Sequence, residues 1–98
     1  MRPFFDERTS NLIEQSNRIG VQFLLADLNT GLTFTQVASV TESAVGRTRN
    51  FDKALEVYRT VTRLLPRVLP SPDEQLQIQT RLGDLKCRLE QAGYQFED

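Results

Sequence analysis

The segment from Asn50 to Pro66 constrains the fold more than any other stretch, because it carries signals for both ends of an amphipathic helix. Asn50 is a favourable N-cap, since its side-chain oxygen can accept a hydrogen bond from a free backbone N–H of the first turn. Pro66 has no N–H to donate and crowds the preceding turn, so the helix is expected to end or kink there. The side chains between them predict one broad buried stripe: Phe51, Ala54, Leu55, Tyr58, Val61, Thr62 and Leu65.

A long helix is predicted upstream of this segment. Apolar residues recur there at spacings of three and four and predict a helix over residues 10–42. Gly20 either bends or divides it, and the sequence at 29–31 also suits a turn. The apolar phase runs through both places, which favours one continuous helix with small residues at close helix contacts. Residues 40–49 are polar and lose the period, so they predict a loop.

A third helix begins at Ser71-Pro72-Asp73-Glu74, which combines an N-cap, a first-turn proline and a capping box. Gly93 is the expected C′ glycine that closes it. Leu76 is expected to broaden the apolar face. The remaining apolar positions form a heptad-like seam: Ile78, Leu82, Leu85, Leu89, Ala92 and Phe96.

These segments predict an all-α fold. Helices at about 10–42, 50–66 and 72–92, joined by short connections, make an antiparallel three-helix bundle whose first helix is either continuous or split. With 98 residues the chain is long enough for one domain. That domain is predicted to span residues 10–93, preceded by a flexible arm at 1–9 and followed by a tail at 94–98.

The composition argues against most catalytic chemistry. The chain has no histidine and one cysteine, so the usual general base and the usual zinc ligands are missing. The two glycine-rich motifs that bind phosphate groups, GxxxxGK(S/T) and GxGxxG, do not occur in the sequence. We therefore expect no enzyme activity, no cofactor and no metal. A net charge of −1 and the absence of a long apolar run suggest neither nucleic acid nor membrane as a partner, and predict a cytoplasmic protein.

The pattern Ala54-x3-Tyr58, followed by Val61 and Pro66, is similar to the second helix of a tetratricopeptide repeat. On that resemblance, residues 20–66 form one helical hairpin of this family.

Further upstream, Gly31-x2-Phe34 resembles the G-x2-Y of the family's first helix. The helix from residue 72 resembles the capping helix that the family often carries after its last repeat. The three-helix microtubule-interacting-and-transport domain has a similar organisation, and both families remain open. Either resemblance implies a groove between helices that binds a peptide or helix of a partner protein.

Arg59, Arg63 and Arg67 stand four residues apart and form a basic row, provided that the helix continues past Pro66. The row suits a partner-binding clamp for an acidic peptide or a phosphate. A solvated face with local pairs, such as Glu56 with Arg59, is the favoured interpretation, because rows of charge on helices are usually solvent faces.

The sequence therefore predicts a non-catalytic protein–protein interaction module that binds a peptide or helix of a partner. The alternative is a small structural homo-oligomer that buries its remaining apolar face, including Phe4, Phe5, Phe23 and Phe34, against a copy of itself. Cys87 is expected to be a partly buried, unreactive thiol.

Overall fold

The structure is a computed structural model that describes residues 7–96, with side chains from residue 11 onward. Its elements are α1 (Glu7–Val40), α2 (Ala44–Leu64), a short 3-10 turn (Leu65–Arg67) and α3 (Pro72–Gln91). The predicted all-α three-helix bundle is confirmed. It is an elongated rod of 66 × 23 × 20 Å, because α1 is much longer than the helices packed against it.

α1 is the central element of the bundle. It packs against both α2 and α3, which contact each other less. Its buried face meets residues of both neighbours, so that one core runs between the three helices. The core consists of Val21, Leu24, Leu25, Leu28, Ala54, Val57, Val61, Ile78, Leu85 and Leu89.

α1 is continuous through both of its glycines, as the apolar phase predicted. Gly31 is buried, and a Cβ there would lie 2.8 Å from Val57 Cγ1 and 3.1 Å from Leu85 Cδ2. At Gly20 a Cβ would lie 2.7 Å from Val68 Cγ1. The glycines therefore allow close approach of neighbouring elements and do not interrupt the helix.

α2 begins at Ala44, and the predictions of a loop over 40–49 and of an N-cap at Asn50 are wrong. The N-cap is Ser43, whose Oγ accepts a hydrogen bond from Gly46 N at 3.2 Å. Asn50 lies inside the helix, and its Nδ2 donates to Gly46 O at 2.8 Å. Both residues have capping side chains, and the fold uses the first of them.

The remaining helix ends follow their sequence signals. α2 ends at Leu64, and Pro66 lies in the 3-10 turn that follows. Ser71 and Glu74 form the predicted capping box, with Glu74 N donating to Ser71 Oγ and Ser71 N donating to Glu74 Oε1. Gly93 has a φ of 102°, and Tyr94 N donates to Leu89 O, which closes α3 in a Schellman motif.

The predicted apolar faces need three corrections. In α2 the buried residues include Val57, while Thr62 is exposed, so the buried face is rotated from the predicted stripe. The predicted seam residue Ala92 is the C-cap that follows α3, and it is exposed. Leu76 does not broaden the apolar face, because its side chain is 67% exposed.

The ends of the predicted domain also differ from the sequence interpretation. Residues 7–9 of the predicted arm belong to α1, whereas Phe4 and Phe5 lie outside the described residues. In the predicted tail, Tyr94 and Phe96 pack against the core. The Phe96 ring lies 4.8 Å from that of Tyr58, centroid to centroid.

We predict opposite effects for the same substitution at two helical glycines. Gly83 is exposed and a Cβ added there would meet no atom within 4 Å, so Gly83→Ala should stabilise the fold by up to about 1 kcal/mol. Gly31→Ala gains the same helix propensity but overpacks stiff Val57, at a cost of about 1–3 kcal/mol. Urea unfolding of both variants measures the difference. Equal stabilisation by both would contradict the close packing at Gly31.

Candidate functional site

The predicted basic row lies on the solvent side of the bundle. Arg59, Arg63 and Arg67 are all exposed. Buried Val61 stands two residues from each of the first two, about 200° around the helix, so they point away from the core. Arg67 belongs to the 3-10 turn beyond α2. Among the described residues, none of the three guanidinium groups has a hydrogen-bond or ion-pair partner, and the predicted pair of Glu56 with Arg59 is not formed.

An open groove of about 600 Å³ lies where the end of α1, the start of α2 and the end of α3 meet. Arg47 and Arg88 line this groove, and the sequence analysis proposed neither as a site residue. The lining residues are Thr35, Gln36, Ser39, Arg47, Thr48, Phe51, Arg88, Gln91, Ala92 and Tyr94.

Both arginines of this groove bind groups of α1 or of the turn that follows it. Arg47 Nη1 donates to Thr41 O at 3.0 Å and to Glu42 O at 2.9 Å. Arg88 Nη1 donates to two groups of α1, Thr35 Oγ1 at 3.1 Å and Leu32 O at 3.5 Å. The Arg47 guanidinium is favourably placed at the end of α1, because the last carbonyls there lack backbone partners and the dipole is negative, whereas Arg88 contacts α1 about two turns before that end. The two guanidinium groups therefore have a structural role.

The Tyr94 hydroxyl links the chain after α3 to α2. It donates a hydrogen bond to Asp52 Oδ1 at 2.6 Å, and the Tyr94 ring lies 6.3 Å from that of Phe51. Burial, together with the hydrogen bond to Asp52 and its negative charge, raises the pKa of Tyr94 to about 12. The phenol is therefore protonated at neutral pH and acts as a structural donor.

Cys87 is exposed, which corrects the prediction of a partly buried thiol. Its Sγ accepts a hydrogen bond from Gln91 Nε2 at 3.7 Å. In the part of the chain that the structure describes, no group of three or more His, Cys, Asp and Glu side chains is placed to hold a metal ion. None of the described helices has both the length and the apolar character needed to cross a bilayer.

The surface of α1 that faces away from α2 and α3 carries a second apolar pattern, which we call the outer stripe. Its nine positions alternate in spacing between four and three, every one is exposed, and none is charged. They lie opposite the buried face of α1 on a helix of 3.6 residues per turn. The outer stripe consists of Leu12, Ser16, Ile19, Phe23, Ala26, Thr30, Thr33, Val37 and Val40.

The sequence interpretation placed Phe23 on a remaining apolar face in the homo-oligomer alternative, but it did not separate the whole outer stripe from the buried face of α1. Leu12, Ile19 and Phe23 are 59%, 70% and 50% exposed, whereas Val21 and Leu24 are buried. Sorting the apolar positions into two heptad series reveals both faces, so the signal was present in the sequence.

The polar groups within the outer stripe, and the amides along one of its edges, are uncharged. Thr30 Oγ1 donates to Ala26 O at 3.1 Å and Thr33 Oγ1 to Asn29 O at 2.9 Å, so both hydroxyl donors are satisfied within the helix. Only three residues between positions 11 and 41 are charged, whereas α2 and α3 carry seven charged residues each. One edge of the stripe is lined by exposed amides at heptad spacing: Gln15, Gln22, Asn29 and Gln36.

The other edge of the outer stripe borders a groove between α1 and α2. Phe23, Asp27 and Phe34 line it from α1, and Lys53 Nζ lies 5.4 Å from the centroid of the Phe34 ring. Burial raises the pKa of Asp27 above its ordinary value. The charges of this groove belong mainly to α2, and the stripe itself is uncharged.

Comparison of the chain with protein-family models, with curated proteins and with solved structures finds no match. The geometry of the chain itself therefore has to distinguish between the candidate surfaces.

The Tyr94 hydrogen bond predicts a loss of stability in alkali. Because the pKa of Tyr94 is raised from 10.0 to about 12 in the folded state, the stabilisation is complete below pH 10 and is lost as the pH rises through about 12. Tyr94→Phe should lower the free energy of unfolding by about 0.5–1.5 kcal/mol at pH 8, and this difference should shrink towards pH 12. Urea unfolding across this pH range measures it.

Asp52→Asn is the control, because it removes the charge and leaves an acceptor. The absorbance titration of Tyr94 should then shift to lower pH. Ionisation of Tyr94 near pH 10 in the unaltered protein would contradict the hydrogen bond.

Proposed function

We propose that this protein is a non-catalytic protein–protein interaction module, and that its binding surface is the outer stripe of α1, which pairs with the apolar face of another helix. The observation that carries the proposal is a run of nine heptad positions, all exposed and all uncharged, over about 42 Å of helix. A cytoplasmic location belongs to the same proposal.

A comparison of the three helices supports this choice of surface. Solvent-facing helix surfaces are usually rich in charge, as those of α2 and α3 are. The outward surface of α1 instead repeats the 3–4 spacing with which one helix packs its side chains between those of another. Exposed large side chains in a contiguous row are typical of interaction sites, because scattered ones are usual on any surface but rows are not.

The energetics also favour a helix as the occupant. Complete burial of one Leu, Ile or Phe side chain stabilises by about 1.5–3 kcal/mol, and Leu12, Ile19 and Phe23 each have half or more of this area still in water. Because the hydroxyl donors of Thr30 and Thr33 are already bonded, covering them leaves no unsatisfied donor. A helix can cover Thr30 and Thr33 without supplying a polar partner group, whereas the Ser16 hydroxyl has no hydrogen bond within the described residues and needs one from the partner helix.

The basic row is a second candidate surface, for an acidic peptide. What favours it is that the guanidinium groups of Arg59, Arg63 and Arg67 are exposed and have no partner within the described chain. Isolated exposed charges contribute little binding energy, so we rank this surface below the outer stripe. The tetratricopeptide-like pattern of residues 20–66 agrees with a binding function in general and stays a prediction.

Site-specific photocrosslinking tests the proposal. A photoreactive amino acid at Ile19, in the outer stripe, should form adducts with another protein chain in the native cell. The same amino acid at Thr62, on the exposed surface of α2, should form none. Phe23→Glu should abolish the adduct at Ile19, whereas Arg63→Glu should leave it intact.

Circular dichroism of each variant verifies folding. Loss of the adduct in Arg63→Glu alone would assign the site to the basic row, and absence of any adduct at Ile19 would overturn the proposal.

A further inference from the structure

We infer that the helix which pairs with the outer stripe is α1 of a second copy of this chain, running antiparallel about a two-fold axis at Ala26. This inference rests on the proposed function, because it names the occupant of the same surface. Three properties of the stripe carry it: the order of side-chain sizes along it, the absence of charge, and the symmetry of its amide edge.

Side-chain size changes along the stripe around its midpoint. Ala26 is fourteen residues from Leu12 and fourteen from Val40. The large residues Leu12, Ile19 and Phe23 precede it, and the smaller threonines and valines follow it.

The size order favours an antiparallel pair. Two antiparallel copies place Ile19 opposite Thr33 and Phe23 beside Thr30, so large side chains meet small ones and the small Ala26 lies at the axis. A parallel pair would place Phe23 against Phe23 and Thr30 against Thr30. That arrangement overpacks one layer and leaves space in another, and both faults destabilise an interface.

The absence of charge makes the stripe compatible with itself. In a two-fold dimer the same patch occurs on both sides, so any charge near the axis would face its own copy. The outer stripe itself has no charge. Among residues 11–41 the charged side chains are Glu14, Arg18 and Asp27, and Asp27, the one nearest the axis, lies in the groove towards α2 together with Lys53.

The amide edge has the same symmetry. In an antiparallel helix pair, the positions along one edge of the first helix lie near the positions along the same edge of the second helix. Gln15 of one copy therefore lies near Gln36 of the other, and Gln22 near Asn29. An amide both donates and accepts, so each of these pairs can form hydrogen bonds without any change of sequence between the copies.

The area of the stripe sets the expected strength of the dimer. A strip about 42 Å long and about 10 Å wide covers roughly 420 Å² on each copy, about half of what a standard interface buries on each partner. We therefore expect reversible association that depends on concentration.

Sedimentation equilibrium of the purified chain, from about 1 µM to about 1 mM, tests the association. A monomer–dimer equilibrium is expected. Phe23→Glu and, separately, Ile19→Glu should weaken it at least tenfold, while Arg63→Glu should leave it unchanged. Both stripe residues are at least half exposed, so these variants are expected to fold, and circular dichroism verifies it. A monomer throughout the range would overturn the inference.

Spin-label distances test the orientation in a Cys87→Ser background. Labels at position 22 of an antiparallel dimer are separated along the axis by about 12 Å, and labels at position 36 by about 30 Å. Equal short distances at both positions would show a parallel pair and overturn the inference.

Persistence of the Ile19 adduct in cells, combined with a purified chain that stays monomeric, would reject the second copy and leave the proposed function standing. Absence of the Ile19 adduct in cells, together with a purified chain that stays monomeric, would reject both the second copy and the proposed function.

Discussion

The close contact of α1 with its two neighbours at Gly31 is the constraint on which the rest of the structure depends. With no Cβ in the way, the α1 backbone lies against Val57 of α2 and Leu85 of α3 at the same level. Thr35 and Ala38, one and two turns further along, are buried on the same side. The small residues of α1 therefore let both neighbours approach closely at this level, while Val21, Leu24 and Leu28 fill the rest of its buried face.

The helix ends could be predicted from the sequence where their signals are local. Ser71 and Glu74, Pro66 and Gly93 each act locally, within one turn of the chain, so the helix ends that they specify could be read from the sequence. The start of α2 could not, because Ser43 and Asn50 offer the same capping chemistry. Choosing between them depends on the compact turn in which Gly46 approaches Thr41, a contact that no single-residue preference reveals.

The candidate site was predicted less well for a related physical reason. The basic row could be recognised because its charges stand at a regular interval, yet regular spacing does not distinguish a clamp from a solvated face. The arginines that make tertiary contacts, Arg47 and Arg88, are not part of any row. In α1 both faces carry apolar residues at heptad spacing, and the packing of the bundle shows that Phe23 and Ile19 belong to the outer one.

Because α1 contributes to the core and carries the outer stripe, the proposed binding at the stripe would be linked to folding. A domain of this size has a small margin of stability, and a large part of its core depends on one helix. A helix that binds the outer stripe recognises α1 only when α1 is formed, so it stabilises the folded state by mass action and does so more as its concentration rises. On a domain that functions alone, an exposed apolar row would be a liability. The row is consistent with a domain that gains stability by binding a partner.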